Sequence, residues 1–527
     1  MPKVLVSDPL EIEGIERLKE GGAKVDVKLG LPEDELVKII GGYDALVVRS
    51  QTKVTKKIID AGKKLKIIGR AGIGVDNIDV LAASAKGIIV INAPSASVTT
   101  TAEHAMSMMM ALARKIPQAT ASVKGGDWKK SKFTGVELRR KTLGVIGLGK
   151  IGSEAARIAG GIGMKVIAYD PFVSLDYATK LGVQVVTKEV LLKNSDFITI
   201  HSALTKDSKN LIGEKEIGMM KKGVRIINCA RGGIINEAAL VAGIKSGKIA
   251  GAALDVYEKE PVEKTNPLLS MDEVILTPHI AASTAEAQTN IALEIADQMV
   301  VALDGGLPTT AVNLPKMDFP AELRPYIALA EKLGSFGKQM ISNAPSTVEL
   351  TFSGDAFEKV KVSIITIALV KELLGGMLDE NVTYVNALSI AKERGIGIVE
   401  TVKRIPSVYS SLLSVTIHWK EGKTVLSGTV MSAEDVRIVE INDCLLDLKA
   451  SGNILLTIHN DKPGIVASVA TLLANEGINI AEMELGRKSV GGDAIMTISI
   501  DNYVSDAVLK KIGRISDIKD VKMIKLQ

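Results

Sequence analysis

Cysteine is nearly absent from this chain of 527 residues: only Cys229 and Cys444 occur, far apart and each in apolar sequence. That scarcity excludes a disulfide framework and a thiolate metal site, no metal is expected, and it fits a reducing compartment. The chain also lacks any apolar run long enough to span a bilayer, so no membrane partner is expected. No charged-then-apolar leader precedes Met1-Pro-Lys-Val-Leu-Val6, which reads directly as a strand, and the expected location is cytoplasmic. Charge of one sign is also missing. A formal net charge of +4 over this length does not argue for a nucleic-acid partner.

What is present is the composition of a soluble globular protein, 46% apolar and 24% charged, with a length that suggests three or four domains. Its most informative stretch is Lys141–Gly152. An apolar run, Leu143–Ile146, reads as a buried parallel strand, and Gly147-Leu-Gly149-Lys-Ile-Gly152 fits G-x-G-x-x-G before a helical stretch, Ser153–Ile162. In that pattern Gly147 permits the tight turn, Gly149 lets a pyrophosphate approach the backbone, and Gly152 lets the helix pack closely on the strand. A second strand, Lys165–Asp170, follows, and Asp170 falls 18 residues after Gly152. An acid there can accept from the ribose hydroxyls and would repel a 2′-phosphate, so the expected cofactor is NAD. The other reading of Asp170, a helix cap or turn before Pro171, remains open.

Before this motif, Val4–Ser7, Ala45–Val48, Ile67–Ile68 and Ile88–Ile91 read as strands, with helical character over Leu31–Ile40 and Thr55–Ala61. This β-α repeat predicts a parallel sheet. Arg49-Ser50 and Arg70-Ala-Gly72-Ile-Gly74 each put an arginine just past a strand's carboxyl end, where open α/β sheets bind ligands. Gly72 and Gly74 would expose amides to an anion. Either arginine alone reads as a solvated loop charge; two at equivalent strand ends point to an anion site. Thr99–Arg114 reads as a helix linking two domains, its methionines core and His104 a packing residue. Lys124–Lys141 carries seven basic and two acidic residues, either a solvated loop or a contact for an anion or a partner subunit.

Residues 186–284 continue the doubly wound pattern, with strands Phe197–Ile200, Val224–Cys229, Gly251–Val256 and Val274–Leu276. Polar residues follow each and bring Arg231, Glu260 and His279 to one edge of the predicted sheet. An arginine can fork a carboxylate, and a histidine oriented by an acid can exchange a proton near neutrality. Together these three suit hydride transfer, with the histidine handling the hydroxyl proton.

Gly147–Gly152, Asn228-Cys-Ala-Arg-Gly-Gly233, Leu254-Asp-Val-Tyr-Glu-Lys-Glu-Pro261 and Leu276-Thr-Pro-His-Ile280 resemble the D-isomer-specific 2-hydroxyacid dehydrogenases. Within that family, Val48–Thr55 and Arg70–Asp79 are similar to the phosphoglycerate dehydrogenase branch. The resemblance implies His279 as acid/base, Glu260 as its partner and Arg231 as the carboxylate clamp. It further implies NAD contacts at Lys150, Ile151, Asp170, Ser202, Cys229, Ala230, Asp255 and the turn from His279 through Ala281 and Ala282. Arg49, Ser50, Arg70, Gly72 and Gly74 would hold 3-phosphoglycerate, with Lys130 and Lys132 where relatives often supply arginine. Lysine there would give a point charge instead of a fork. Ile73 stands where several relatives carry a threonine. A discontinuous substrate domain of 1–97 plus 285–315 is implied around an NAD-binding domain of 98–284, the chain returning along the helical stretch Ser283–Asp304.

After Pro315 the nucleotide-binding pattern stops. Residues 316–449 hold helical stretches at Ala321–Asn343 and Ile364–Leu374, a strand at Thr347–Phe352 and a hairpin-like segment at Ser414–Val430, and they resemble the intervening domain of the long-form branch. Residues 453–527 read as βαββαβ, a ferredoxin-like unit. Leu455–Ile465 and Gly477–Ala481 resemble the ACT regulatory domain, which implies His459, Asp461 and Asn479 as candidates for binding L-serine. Since such domains generally work in pairs, a homodimer or homotetramer is implied. The expected fold is thus α/β: a Rossmann-type NAD domain, a flavodoxin-like substrate domain, an α+β intervening domain and an ACT domain. The expected function is NAD-dependent oxidation of 3-phosphoglycerate, first step of serine biosynthesis, with serine feedback. A glyoxylate or hydroxypyruvate reductase of the same family and a non-enzymatic NAD sensor are the alternatives. The tail argues against the first, and Arg231, Glu260 and His279 together argue against the second.

Overall fold

Five short strands open the chain: β1 (Lys3–Val6), β2 (Lys24–Val27), β3 (Ala45–Val48), β4 (Ile67–Arg70) and β5 (Ile89–Asn92). In a computed structural model, which describes residues 1–315, 323–358, 361–377, 381–404 and 409–526, they form one parallel sheet in the order β2-β1-β3-β4-β5. This is the flavodoxin-like order. Central strands of such sheets are covered by helices on both faces, which is why β3 is buried at all four positions. The edge strand β2 escaped the sequence pattern because its residues are partly exposed. So did the helix Ile12–Glu20, which carries a glycine in its first turn. Gly14 is needed there: a Cβ would lie 2.7 Å from the Cβ of Ala292.

Ala292 belongs to the helix Ala285–Leu303, which comes back to the first sheet. Ile291, Ile295, Ala296 and Met299 are buried there with Val4, Val47 and Ile67, and Arg17 pairs with Asp297 at 2.5 Å. Beyond that helix, the side chain of Asn313 accepts from the Val90 amide at 2.9 Å and donates to the Ile88 carbonyl.

The helix Val98–Arg114 leads from β5 into a second parallel sheet, burying Met106, Met108 and Met109 against it. Its strands are β6 (Thr142–Ile146), β7 (Lys165–Tyr169), β8 (Gln184–Val185), β9 (Phe197–Ile200), β10 (Val224–Asn228), β11 (Ile249–Leu254) and β12 (Val274–Leu276). Their order is β12-β11-β10-β9-β6-β7-β8. The order reverses between β6 and β9, so the loops after β6, β9 and β10 open onto the crevice where such sheets take a dinucleotide.

The third sheet runs β14-β13-β15-β16-β17-β18, from β13 (Thr347–Gly354), β14 (Gly397–Lys403), β15 (Ser411–Trp419), β16 (Gly422–Val430), β17 (Val436–Ile441) and β18 (Cys444–Lys449). β13 and β14 are parallel and the remaining pairs antiparallel. The helices Arg324–Met340 and Ser363–Leu374 cover it, with Phe336, Leu369 and Leu373 fully buried. Of the helical stretch expected from Ala321, Ala321 and Glu322 lie outside the described residues. The fourth sheet, β20-β21-β19-β22, is built from β19 (Gly452–Asn460), β20 (Ile480–Arg487), β21 (Asp493–Ile500) and β22 (Ile518–Leu526) and is wholly antiparallel, the ferredoxin-like arrangement.

One apolar cluster crosses both tail units. Ile454, Leu456, Ile495, Ile524 and Leu526 share it with Leu333 and Phe336. The side-chain amide of Gln339 acts there as a ladder partner for the edge strand β22, donating to the Lys525 carbonyl at 3.0 Å and accepting from its amide at 2.9 Å. Toward the first sheet, the Thr383 hydroxyl donates to the Gly87 carbonyl at 3.0 Å. Among the described residues, no helix is long and apolar enough to cross a membrane.

Candidate active site

The glycine motif follows β6, and each glycine answers a different local demand. Gly147 has φ +90, and a Cβ on it would come within 2.8 Å of the Ser202 hydroxyl at the end of β9. A Cβ on Gly152 would sit 2.0 Å from the Gly147 carbonyl, so the helix Lys150–Gly161 can lie this close only without one. A Cβ on Gly149 would meet nothing within 4 Å; its backbone faces open space beside the helix N-terminus, as an approaching pyrophosphate requires. Asp170, at the end of β7, accepts from the Leu148 amide of this loop and from the Phe172 amide, both at 2.8 Å. Lys150 reaches Ser95 at 2.8 Å, linking this loop to the entry of the helix Val98–Arg114. The loop, Ser202 and Asp170 thus frame one crevice that fits NAD.

His279 lies just beyond β12 with φ +56, the left-handed region that few non-glycine residues adopt. A fully buried carboxylate holds that turn. Asp255, at the end of β11, accepts from the Thr277 hydroxyl at 2.5 Å and from the amides of Ile280 and Ala281 at 2.9 Å each. His104 approaches the same carboxylate at 3.5 Å. Burial alone would raise this carboxyl; the bonds from His104, Thr277 and the two amides outweigh it and hold it below the ordinary carboxylate range.

The imidazole Nδ1 of His279 lies 2.7 Å from Glu260 Oε2. Burial pushes the Glu260 carboxyl up, but the hydrogen bond and charge of His279 and the bond from the Tyr257 amide lower it further, so it is ionised near neutrality. An ionised carboxylate only accepts, so Nδ1–H is the donor and Nε2 is left for other chemistry. Tyr257 braces the arrangement: its hydroxyl donates to the Thr277 carbonyl at 2.8 Å and its amide to Glu260 Oε1 at 3.1 Å.

Arg231 follows β10, next to β11 in the sheet. Asn228, buried at the end of β10, sets this turn by donating to the Arg231 carbonyl and accepting from the Ala230 amide, both at 3.0 Å. Gly232 is required here too, since a Cβ would be 1.7 Å from the Tyr257 carbonyl.

Arg70 and Arg49 come from the other sheet. The glycines at 72 and 74 make room for guanidinium groups: a Cβ on Gly72 would lie 1.6 Å from Arg70 Nη1, and one on Gly74 would lie 2.0 Å from Arg231 Nη2. Burial, with the charges of Arg231 and Arg49, lowers Arg70 to about 10. Its Nε is sealed from solvent and has no hydrogen-bond partner. Such an orphaned buried donor is costly, and an anion between the outer ends of the arginines would offset their clustered charge. Asp8, buried at the end of β1, shapes the Arg49 loop by accepting from the Arg49 amide at 2.6 Å and the Thr52 hydroxyl at 2.5 Å. Asn77 ties that loop to the Arg70 loop through the carbonyls of Arg49 and Thr52, each at 2.6 Å. The Ser50 side chain is exposed on it.

Several expected site residues lie elsewhere or are otherwise engaged. Lys130 and Lys132 are exposed on a short 3₁₀ turn beyond the helix Ile116–Lys124. That helix is docked by Gln118 on the Asp272 carbonyl, before β12, and Gly135 packs on Ala113. Within one chain the two lysines therefore lie toward the amino ends of the strands, away from the arginines. The Cys229 thiol is buried against Met108, and burial raises it strongly, so only its main chain remains for a cofactor. Asp255 is committed to the 277–281 turn. Ala281 is buried, and the Ala282 carbonyl accepts from Gln288. In the tail, His459 is buried against Thr457. Asp461 accepts from Arg487 and the Gly491 amide. Asn479 donates to Asp501, at the other end of β21. Asp461 and Asn479 thus occupy opposite ends of the fourth sheet. Sequence reasoning passed over Asp8, Asn77, Asn228 and Tyr257, although all four stand at strand ends or inside the quoted motifs.

Three family models match successive parts of the chain: the NAD-binding domain of D-isomer specific 2-hydroxyacid dehydrogenases over 106–281, the D-3-phosphoglycerate dehydrogenase intervening domain over 322–442, and an AHAS small subunit-like ACT domain over 455–520. D-3-phosphoglycerate dehydrogenase from Synechocystis sp. is 44% identical over 100% of this chain and 95% of its own. The enzyme of that name from Archaeoglobus fulgidus is 44% identical over 99% of this chain and 100% of its own. Among solved structures, a glyoxylate reductase from Paecilomyes thermophila superposes with a TM-score of 0.55 at 32% identity, covering 59% of this chain and 98% of that one. The reductase thus matches only part of this chain, whereas the phosphoglycerate dehydrogenases match it throughout.

His201, beside Ser202, gives this region a pH dependence. Burial lowers its imidazole from 6.5 to about 4. Between those values the unfolded chain binds a proton that the folded chain excludes, so stability falls as pH drops through that window. Thermal midpoints measured from pH 7 to 4 should show this slope in the wild type and a weaker one in His201→Asn.

Proposed function

The chain belongs to the NAD-dependent D-3-phosphoglycerate dehydrogenases, within the D-isomer-specific 2-hydroxyacid dehydrogenases, and we propose that Arg49, Arg70, Arg231, Glu260 and His279 are its working residues. The reaction is the oxidation of 3-phosphoglycerate to 3-phosphohydroxypyruvate, the step that commits carbon to serine. The division of labour is a substrate domain of 1–97 plus 285–315, an NAD domain of 98–284 and a regulatory tail.

The observation that carries the site assignment is the buried, unpartnered Nε of Arg70 within reach of the fields of Arg49 and Arg231. Arg49 and Arg70 take the phosphate end and Arg231 the carboxylate. Bound NAD supplies the hydride acceptor for the carbinol carbon. His279 Nε2 accepts the hydroxyl proton while Nδ1–H stays on Glu260, whose charge stabilises the imidazolium that forms.

For the tail, we assign L-serine as the effector and place the functional unit in a cytoplasmic homo-oligomer. Asp461 and Asn479 are separated by the length of the sheet, so one serine touching both needs a second copy's tail.

Two experiments test this reading. His279→Ala should lose at least 10²-fold in NADH formation while binding NADH as the wild type does, followed by fluorescence; retained turnover would remove His279 from the chemistry. L-Serine should suppress the wild type, and Asp461→Ala should lift that suppression with uninhibited turnover unchanged. Equal suppression in both would move the effector site elsewhere.

A further inference from the structure

Asp76 lies in the loop after β4, inside the Arg70–Asp79 motif, and takes no part in the roles assigned above. Its Oδ2 accepts from Nε of Arg231 at 3.1 Å. Arg231 comes from the nucleotide-binding sheet and Asp76 from the first sheet, so this ion pair spans the cleft between them. On the guanidinium's other side, Nη1 donates to the Ala230 carbonyl at 2.6 Å. Anchors on two different nitrogens fix the plane of an arginine that would otherwise be free to rotate.

The fixed plane has a direction. Nη2 lies over Gly74, and Nη1 of Arg70 lies over Gly72, so the outer ends of both guanidinium groups converge on the Gly72–Gly74 backbone. Three arginines in one pocket repel one another, and Asp76 is among the charges opposing that repulsion at Arg70. Without it, Arg231 would lose both its Nε anchor and a reason to stay in the cluster. The competing role has Asp76 occupying the arginine in place of the substrate carboxylate. Two features favour positioning. Asp76 uses the Nε edge and leaves Nη2 and the second Nη1 proton for a bidentate carboxylate. Its side chain is also 69% exposed, so solvent screens its repulsion of a bound anion.

We propose that Asp76 is a positioning residue for the substrate carboxylate, holding Arg231 across the cleft with its outer end turned into the anion pocket. The proposal rests on Arg231 being the carboxylate clamp. Carboxylate capture then depends on the two sheets being drawn together, because the arginine is oriented only when Asp76 reaches it.

The test is steady-state NADH formation by the full chain, with 3-phosphoglycerate and NAD varied separately, for wild type, Asp76→Ala and Asp76→Asn. Asp76→Ala should raise KM for 3-phosphoglycerate about tenfold, roughly 1.4 kcal/mol, with KM for NAD within about twofold of wild type. Asp76→Asn keeps an oxygen that can accept from Nε and should recover most of the loss. An unchanged KM for 3-phosphoglycerate in Asp76→Ala would overturn the proposal. A lowered KM would do so as well and would mark Asp76 as a competitor. A parallel rise in KM for NAD, or an Asn variant no better than Ala, would reduce the residue to a structural one. A wild type that forms no NADH from 3-phosphoglycerate would instead remove the parent reading, and the proposal with it.

Discussion

A single buried carboxylate, that of Asp255, determines whether the rest of the site can work. It stays ionised in the interior because four donors face it, and those donors are the segment that carries His279 together with His104 from the helix Val98–Arg114. A charge buried without such bonds would be neutralised or expelled. Here the need to satisfy it closes the 277–281 turn and sustains a left-handed histidine backbone. The proposed catalytic geometry is therefore a by-product of solving a burial problem at the end of β11. Glu260 and Tyr257 complete the arrangement on the adjacent segment, fixing which imidazole nitrogen carries the proton.

The arginine cluster, which joins the two sheets across the cleft, solves the reverse problem. Three arginines lie together with fewer buried acids than would balance them, and the buried Nε of Arg70 has no partner among the described residues. Asp8 acts through the Arg49 backbone, and Asp76 reaches Arg231 from an exposed position. In the proposed function their positive field is the recognition element for a doubly anionic acid, and glycine at 72 and 74 is what leaves the guanidinium groups space to converge. In the proposed site, the 277–281 turn over-satisfies an acid to set a base, and the arginine cluster leaves cations unsatisfied to receive an anion.

Much of this was legible in the chain. Runs such as Ala45–Val48 and Phe197–Ile200 are apolar at nearly every position because central parallel strands are covered on both faces, and the glycine motif carries its own geometry. Edge strand β2 was not legible, since half-exposed residues blur the period, nor was the helix interrupted by Gly14, whose glycine serves a contact 278 residues away in sequence. The proposed catalytic residues could be picked out because each follows a strand end. Asp255 could be seen as important, but its role as an anchor depends on a turn that no local pattern reports. The positions of Lys130 and Lys132 could not be read either: a basic loop has no period, and the helix Ile116–Lys124, which directs it to the far edge of the sheet, buries no residue. Asp461 and Asn479 show the same limit, because adjacent motifs can end at opposite ends of a sheet.

The regulatory tail meets the first sheet at Thr383 on the Gly87 turn, and Gln339 on β22 joins the tail's own two units. The proposed serine effect on turnover would pass through packing of this kind, while the proposed chemistry rests on the cleft between the first two sheets. The central claim is that the arginine cluster reads two negative ends of one substrate. The most direct test compares NADH formation by the wild-type chain from 3-phosphoglycerate and from D-glycerate, which keeps the carboxylate and hydroxyl but lacks the phosphate. The account predicts kcat/KM at least 10²-fold higher for the phosphorylated acid, about 2.7 kcal/mol of transition-state binding. Equal values for the two acids would contradict it.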